Sequence, residues 1–418
     1  MPPTLIQLIS EQTMPNLLPV LRLRPQRLVH LVTPRTASRS AFVLEAARQA
    51  GLSVTLETVS LSPMPTIAET QGATRDAIQG CLDRKETPVV NFTGGTKLMS
   101  IGAYAAALEF EVKAMSLYTD TEDACFVDGG TGDGLAAHLD DDFSFTPLRS
   151  VLTVNTIAVA NGCERVTGGR DWKPFMPLAE HLFNNESEAS DVHEAILGTK
   201  GLFPGGREPR SPGDWLRVLD VDFALPTEVA RLAADCGLVR TSAAGACRLP
   251  DVTRNDLQAL DDAHTRNEYV PDFNRRRIAA TNPVQQAASF LTGVWWEVIV
   301  MNAAERSGQF RDLRWSAQVG QRDGADLEED ILGVDGVQAL CISCKRGGEK
   351  ARLLPHLEEL SARAHRLGGN FTRRFLAILR PLKGRLADNL NHRARELRIR
   401  ILTPDDLSKP DVFVPTNF

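Results

Sequence analysis

The sequence predicts an α/β protein: two α/β domains joined by a small connector that is helical or winged-helix-like. Three observations point there. Strand and helix signals alternate through the first 130 residues, two apolar runs meet at an Asp-Gly turn within 328–345, and the stretch between reads mainly as helices and turns. The expected divisions are 1–150, 151–280 and 281–418. A chain of 418 residues is long enough for two or three domains, each with its own core.

In the first division, residues 5–10 and 28–32 are short apolar runs, the second ending at Thr33-Pro34. Residues 40–50 show helical periodicity that stops at Gly51, and 52–59 are β-rich. Residues 67–84 read as a helix and 88–92 as a strand. The Ala-rich segment 98–109 reads as another helix, and 112–118 and 124–127 as further strands. Strands separated by helices predict a parallel, doubly wound sheet, and such sheets bind ligands beyond the carboxyl ends of their strands. The loop Thr93-Gly94-Gly95-Thr96-Lys97 stands at such an end. Its glycines let backbone N–H groups approach a phosphate, its threonines offer hydroxyls, and Lys97 opens the next helix. It is neither a Walker A loop nor Gly-x-Gly-x-x-Gly, and a plain strand-to-helix turn is the competing reading.

The connector offers less. Residues 153–161, closing at Gly162, read as a helix. Residues 201–214 are rich in Gly and Pro, and 226–236 form a helix closed by Gly237. A hairpin of 238–241 and 246–249 after that helix gives the winged-helix expectation. The last division is expected to begin near Asn282-Pro283, read as an N-cap followed by Pro at the first helical position.

The most informative stretch is Glu328-Glu329-Asp330-Ile331-Leu332, the turn at Asp335-Gly336, and Val337-Gln338-Ala339-Leu340-Cys341-Ile342-Ser343-Cys344-Lys345. Asp-Gly between apolar runs predicts a type I′ hairpin. Strand alternation puts Glu328 and Asp330 on one face, and Cys341, Ser343 and Lys345 likewise on one face. With Asp335 and Gly336 as the loop, Asp330 pairs with Cys341 and Glu328 with Ser343. Two carboxylates, a hydroxyl and a lysine then converge, a set that can hold a divalent metal and activate a water for phosphodiester cleavage. A solvated hairpin face is the bland alternative.

Composition sets outer bounds. The hydrophobic share of 43% and charged share of 24% are those of an ordinary soluble protein. No apolar run approaches the roughly 20 residues of a membrane helix, and no signal peptide pattern opens the chain. No membrane partner is expected, and the cytoplasm is the default compartment. Seven scattered cysteines suit reduced thiols, and Cys341-x-x-Cys344 puts its side chains on opposite strand faces, unlike a zinc or redox pair. The net charge of −6 argues against indiscriminate nucleic-acid coating. Residues 345–400, however, hold 15 Lys/Arg against five acidic residues, and a phosphate backbone would be attracted there, with Arg373 and Arg374 as the candidate contacts.

Two motif sets carry a resemblance. Leu8-Ile9-Ser10-Glu11-Gln12-Thr13-Met14-Pro15-Asn16-Leu17-Leu18-Pro19, together with Asn91-Phe92-Thr93-Gly94-Gly95-Thr96-Lys97, resembles a CARF domain, the CRISPR-associated Rossmann-like sensor. The 328–345 hairpin resembles the PD-(D/E)xK, restriction-endonuclease-like fold, with Asp330 at the motif aspartate and Lys345 at the motif lysine. Together they resemble CRISPR ancillary nucleases that join one CARF domain to one such nuclease domain. The resemblance implies activation by a cyclic oligoadenylate, usually cyclic tetra-adenylate, bound across the two-fold axis of a homodimer. The implied ligand contacts are Ser10, Gln12, Asn16, Thr33, Thr93, Gly94, Gly95, Thr96, Lys97 and Thr119. It also implies Mg²⁺ or Mn²⁺ at Asp330 and a second carboxylate, with Lys345 orienting or deprotonating the attacking water. The substrate it implies is DNA, single strands included, with RNA as a further candidate substrate.

Ser343 departs from the family pattern, which has Glu or Asp there. Glu328 is the first candidate for the missing carboxylate, being opposite Ser343 in the expected register. Glu358 or Glu359, on the helix expected over 353–367, is second, by likeness to restriction enzymes with Ser-x-Lys. Glu297, on the preceding helix, is a further implied metal ligand. Two rivals follow from the same residues: a sensor or ligand sponge with a degenerate nuclease domain, and an enzyme that cleaves the cyclic oligonucleotide within the CARF pocket.

Overall fold

Strands buried on both faces lose the alternation of polar and apolar residues, and the first strand, Thr-Leu-Ile-Gln-Leu, is buried along its whole length. It belongs to the first of two six-stranded sheets in the computed structural model of the chain. The structure describes residues 3–118, 123–128, 146–207, 209, 211–242, 245–251, 253–266, 270–322, 324, 326–347, 350–370, 372–409 and 411–413.

The first sheet and its helices run β1 (Thr4–Leu8), α1 (Met14–Leu23), β2 (Arg27–Val32), α2 (Ala37–Gln49), β3 (Thr55–Ser60), α3 (Ile67–Asp83), β4 (Pro88–Asn91), α4 (Lys97–Glu109), β5 (Lys113–Tyr118) and β6 (Asp123–Asp128). Strand order is β3-β2-β1-β4-β5-β6. All neighbours are parallel except β5 and β6. The order reverses between β1 and β4, the topological switch point at which such sheets open a ligand crevice. Under this crevice, His30 of β2 is fully buried. The Gln7 amide donates to its Nε2 at 2.8 Å, and its Nδ1 lies 2.7 Å from Ser40 Oγ. A ring that accepts at Nε2 is neutral, and burial pulls its pKa down to about 3.

The connector holds α5 (Val154–Ala160), β7 (Cys163–Arg170), α6 (Met176–Asn184), α7 (Glu186–Leu197), α8 (Pro212–Leu219), α9 (Thr227–Asp235), β8 (Arg240–Thr241), β9 (Cys247–Arg248) and α10 (Arg254–Thr265). The helix-then-hairpin pattern is present as α9 followed by β8 and β9, two residues each. This region is not an independent layer. Strand β7 forms the edge of the second sheet, and Leu178, Trp215 and Val229 share an apolar core with Val284, Trp296 and Ile342.

The second sheet follows with α11 (Phe273–Ser289), α12 (Trp295–Arg306), β10 (Arg311–Gln321), β11 (Asp326–Asp335), β12 (Gln338–Gly347), α13 (Lys350–Gly368), β13 (Thr372–Arg380), α14 (Arg385–Glu396), β14 (Ile399–Leu402) and α15 (Pro404–Leu407). Its order is β14-β13-β12-β11-β10-β7, with β12, β13 and β14 parallel and the remaining neighbours antiparallel. Helix α12 is fixed to the sheet by Trp296, whose Nε1–H donates to the Ala377 carbonyl at 3.1 Å.

Two expectations fail here. Asn282-Pro283 does not start a helix, because Pro283 lies inside α11. The break comes instead at 290–294, a π turn in which Gly293 leaves helical geometry. A Cβ on Gly293 would sit 2.7 Å from the Arg346 side chain, so glycine allows this close passage. Ile278–Arg306 is one helical stretch, among the described residues, long and apolar enough to cross a membrane by length and composition. It is mostly buried, and Trp295 and Trp296 face the protein core.

The hairpin register also differs. Asp335 pairs with Gln338, so the loop is Gly336-Val337 rather than Asp335-Gly336. Gly336 supplies the positive φ of 59° that the turn needs. Asp335 is held on the strand by Arg373 and by Gln309 Nε2 at 2.9 Å, and Val337 is buried. The shift moves β12 by two residues, so the same faces are kept but every cross-strand partner changes.

The His30 environment gives a pH prediction. Its folded pKa lies below the unfolded value, so it contributes stability that is present above pH 6.5 and lost as pH falls toward 3. His30→Asn is expected to melt lower than the parent at pH 7 and to lose less further stability between pH 7 and 4.5. Parallel melting curves at both pH values would refute it.

Candidate functional site

Asp330 stands where β11 and β12 separate, just beyond the last paired residues Ile331 and Ile342. One carboxylate oxygen accepts from three donors: the Cys344 backbone N–H at 2.6 Å, the Ser343 hydroxyl at 3.2 Å and the Lys345 ammonium at 3.4 Å. Burial alone would lower the Lys345 pKa, but Asp330, with smaller contributions from Cys344 and Glu297, outweighs it and the net shift is upward. Lys345 is therefore a cation at neutral pH.

The neighbouring carboxylate is Glu297, in the first turn of α12. It accepts from Trp315 Nε1–H at 2.9 Å. Burial and, next, the charge on Asp330 raise its pKa to about 8. Two carboxylates that repel in a poorly solvated site, with one ammonium between them in charge, form an acidic oxygen-donor pair suited to a hard cation. Among the described residues, no group of three or more His, Cys, Asp or Glu stands in metal-holding geometry. Mg²⁺ nevertheless binds through one or two carboxylates plus waters and substrate phosphates, so Asp330 with Glu297 fits such an ion.

The structure rearranges the other candidates. Glu328 is not opposite Ser343. It pairs with Gln318 of β10, and its carboxylate accepts from Ser316. The two-residue shift of β12 removes the expected contact. Glu358 turns away to an ion pair with Arg393 of α14 and does not line the cleft. Glu359 does line it, held by Arg363 and, at 3.3 Å, by His356. Arg373 and Arg374 do not form an open nucleic-acid face. They sit on β13 between two strands, where Arg373 pairs with Asp335, donates to the Phe413 carbonyl and lies over the Phe375 ring. Arg374 donates to the Leu397 and Gly369 carbonyls, both at 3.2 Å.

Around Asp330 and Glu297 opens a cleft of about 710 Å³. Sequence reading missed much of its wall. Arg170 of β7 and Leu238 come from the connector, Asn282 and Gln286 from α11, and His356 and Arg363 from α13. The α13 positions 356, 359, 360 and 363 have the i, i+3, i+4, i+7 spacing of one helical face, a signal present in the sequence. Glu329 was missed too. It is 6% exposed, with Cys341 Sγ at 3.4 Å and Arg363 at 4.0 Å, and burial raises its pKa to about 7. Cys341 and Cys344 are buried thiols, both pushed upward by burial, which suits neither redox nor metal use.

The second candidate site is the β1/β4 switch point of the first sheet. Parallel pairing of β1 with β4 brings the Ser10 loop beside the Gly94-Gly95 loop. The approach is close: a Cβ on Gly94 would lie 2.2 Å from the Leu8 carbonyl. Gly95 has φ of 77°, and Thr96 caps α4 by accepting from Met99 N–H at 3.3 Å. Thr96 and Lys97 are exposed at the mouth.

Several expected contacts are instead structural. Asn16 is fully buried and donates to the Leu8 carbonyl at 2.8 Å. Thr93 Oγ1 accepts from Leu117 N–H at 2.9 Å and donates to Asn91 at 2.6 Å. Thr33 is buried against Thr36. Gln12 points to the second domain, where it accepts from Asn370 N–H at 3.0 Å. Ser10 is half-buried, its hydroxyl on the Gln12 carbonyl at 2.7 Å. Thr119 lies outside the described residues.

Comparison with known proteins agrees with this architecture. Residues 4–127 match the family model of the Card1 CARF domain, and residues 284–412 match that of the Card1-like endonuclease domain. No curated protein sequence matches the chain. Among solved structures, Can2 from Sulfobacillus thermosulfidooxidans in complex with cyclic tetra-adenylate is similar at 16% identity and TM-score 0.62, over 96% of this chain and 93% of that one. Protein VC1899 from Vibrio cholerae is similar at 13% identity and TM-score 0.65, over 98% and 95%. A type III CRISPR defence DNA nuclease activated by cyclic oligoadenylate is similar at 14% identity and TM-score 0.54, over 99% of this chain and 52% of that one. At such identities these likenesses speak for the fold.

Two outcomes follow from the geometry. Gly94→Ala is expected to destabilise the chain by about 1–3 kcal/mol, the usual cost of overpacking, read as a lower urea midpoint; an unchanged midpoint would refute the close approach. In metal-free protein, Glu297 and Glu329 have folded pKa values above their unfolded ones. They favour the fold at low pH, and that contribution is lost as pH rises from about 4.5 through 7 and 8. Glu297→Gln should therefore flatten the fall in melting temperature between pH 5.5 and 8.5 by a few degrees, whereas an unaltered slope would place this carboxyl in water.

Proposed function

Because the chain belongs to the Card1 family, joining a CARF domain to a Card1-like endonuclease domain, we propose that it is a cyclic oligoadenylate-activated, metal-dependent nuclease of type III CRISPR defence. The observation that carries this reading is the meeting of Asp330, Glu297 and Lys345 in a large cleft of the endonuclease domain. The activator is cyclic tetra-adenylate, bound in the β1/β4 crevice of a homodimer and held by Lys97, Thr96 and the amides of Gly94 and Gly95. The substrate is DNA, single strands included, with cleavage of RNA a further outcome of the same assay. Its phosphates face Arg363, Arg170 and His356 on the cleft walls.

Asp330 and Glu297 would hold Mg²⁺ or Mn²⁺, which supplies Lewis acidity toward a phosphoryl oxygen and lowers the pKa of a bound water. The chain's own residues do the rest. Ser343 and the Cys344 amide fix the Asp330 carboxylate by hydrogen bonds. Ser343 thus orients a ligand in the place where the family pattern supplies one. Lys345, a cation beside Asp330, is placed to stabilise negative charge growing on the phosphoryl oxygens and to orient the attacking water. Trp315 holds the Glu297 carboxyl in the cleft. An intact Asp330–Lys345 pair favours this reading over a sensor or sponge with a dead nuclease domain.

Cleavage of a fluorescent single-stranded oligonucleotide is expected only with both cyclic tetra-adenylate and a divalent ion. Asp330→Ala and Lys345→Ala should each reduce it by about 10²–10³-fold, the cost of removing one charge-stabilising group, while the dimer persists. Full activity in EDTA or in both variants would sink the assignment. Consumption of the cyclic activator without substrate cleavage would favour ligand hydrolysis in the crevice instead. Lys97→Ala should weaken activator binding by about 1.5–3 kcal/mol, the worth of a charge-assisted hydrogen bond, and unchanged calorimetric affinity in a folded variant would remove Lys97 from the site.

A further inference from the structure

The loop that leaves β1 does more than border the activator crevice. Ser10 Oγ donates to the Gln12 carbonyl at 2.7 Å, so the strand end that borders the crevice and the Gln12 backbone are tied together. The Gln12 side chain then crosses to the endonuclease domain. Its Oε1 accepts the Asn370 backbone N–H at 3.0 Å, in the turn between α13 and β13. That turn is shaped for the contact: Gly369 has φ of 63°, and a Cβ there would lie 2.6 Å from Gln12 Oε1. The next residue adds a second tie, since Thr13 Oγ1 donates to Asn161 Oδ1 at 3.0 Å at the end of α5.

Helix α13 connects this turn to the cleft. It begins just after β12, the strand bearing Lys345, and ends at Gly368. Along it His356, Glu359 and Arg363 line the cleft, and Arg363 Nη1–H donates to the Glu328 carbonyl at 3.0 Å. A displacement of Gln12 therefore acts on the C-terminal end of a helix that carries one wall of the cleft. A second interdomain contact lies away from the crevice: Arg322 pairs with Glu45 of α2 at 2.6 Å and covers the Phe42 ring.

We propose that Gln12 is a positioning residue that transmits activator binding to the cleft, through its hydrogen bond to the Asn370 amide at the base of α13. This inference rests on the activated-nuclease reading above. Gln12 touches neither the nucleic-acid substrate nor the metal pair. Its effect passes through a rigid helix, one of the physical connections through which sites can be coupled.

The test uses the full-length chain with Gln12→Ala, Gln12→Glu and Arg322→Ala. Gln12→Glu keeps an oxygen acceptor for the Asn370 amide, and Arg322→Ala removes only the contact remote from the crevice. Calorimetry gives cyclic tetra-adenylate affinity, and oligonucleotide cleavage at saturating activator gives kcat and KM. The expected result is an activator-stimulated kcat lowered about tenfold in Gln12→Ala, within the range of typical coupling energies. Activator affinity and KM stay near the parent's, Gln12→Glu recovers most of the loss, and Arg322→Ala stays stimulated. Full stimulation of Gln12→Ala overturns the proposal, as does an equal loss in Arg322→Ala, which would make any domain contact sufficient. Activity restored merely by raising the activator concentration also overturns it, making Gln12 a ligand contact. A parent protein that cyclic tetra-adenylate does not stimulate overturns the functional reading itself, and this inference with it.

Discussion

One apolar core runs through both domains, and the rest of the molecule is arranged around it. Helix α5 buries Val154, Ile157 and Val159 in a cluster that holds Leu17 and Val43 of the sensor and Leu332, Leu357 and Leu376 of the endonuclease. At roughly 25 cal/mol per Å² of buried apolar surface, prying this core open is costly. The domains are therefore not beads on a string. A ligand at the β1/β4 crevice cannot simply swing the endonuclease domain away. Polar ties cross the same junction: Gln12 to the Asn370 amide, Thr13 to the Asn161 side chain, and Arg39 to the Asn161 carbonyl at 2.9 Å. Packed interfaces are bistable rather than continuously deformable, so coupling across such a junction requires a discrete rearrangement of contacts of this kind.

The sensor was legible in the sequence because its inner strands β1, β2 and β4 are short, parallel and buried, so that each reads as a mainly apolar run next to a helix. Gly94 was legible as a place of close approach, although the group that comes close is the Leu8 carbonyl rather than a phosphate. What the sequence could not separate were the ligand-facing and structural polar residues at those ends. Asn16 and Thr93 have the composition of ligand contacts, yet both are consumed in joining β1, β4 and β5. Burying polar groups without partners is costly, so a crevice between strand ends needs side chains that satisfy its own backbone before any ligand arrives.

In the endonuclease, the residues of the hairpin were legible and their pairing was not. Asp-Gly is a strong turn signal, but Asp335 has better partners in Arg373 and Gln309, and Val337 prefers the core to a loop position. Tertiary contacts therefore moved the turn by one residue and the register by two. The same competition explains Arg373 and Arg374. A count of charges along the chain favours a basic surface, whereas β13 lies between β12 and β14 and turns both guanidiniums onto carbonyls and Asp335. Linear charge density says little about a central strand, where one guanidinium is paired with Asp335 and the next is spent on backbone carbonyls.

The chemistry of the cleft depends on an imbalance of charge. Glu297 and Asp330 repel each other in a site that solvent reaches poorly, and Lys345 is committed to Asp330. Without a further cation the least costly state leaves the Glu297 carboxyl protonated, and Trp315 can still donate to its other oxygen. A divalent ion reverses that preference, because it rewards the second ionisation that burial opposes. Ser343 is compatible with this scheme, since a third carboxylate beside Asp330 would raise the repulsion further, while a hydroxyl donates to the one already present. The departure from the usual Glu or Asp at this position is thus consistent with a working site in which Glu297 takes over the second acidic role.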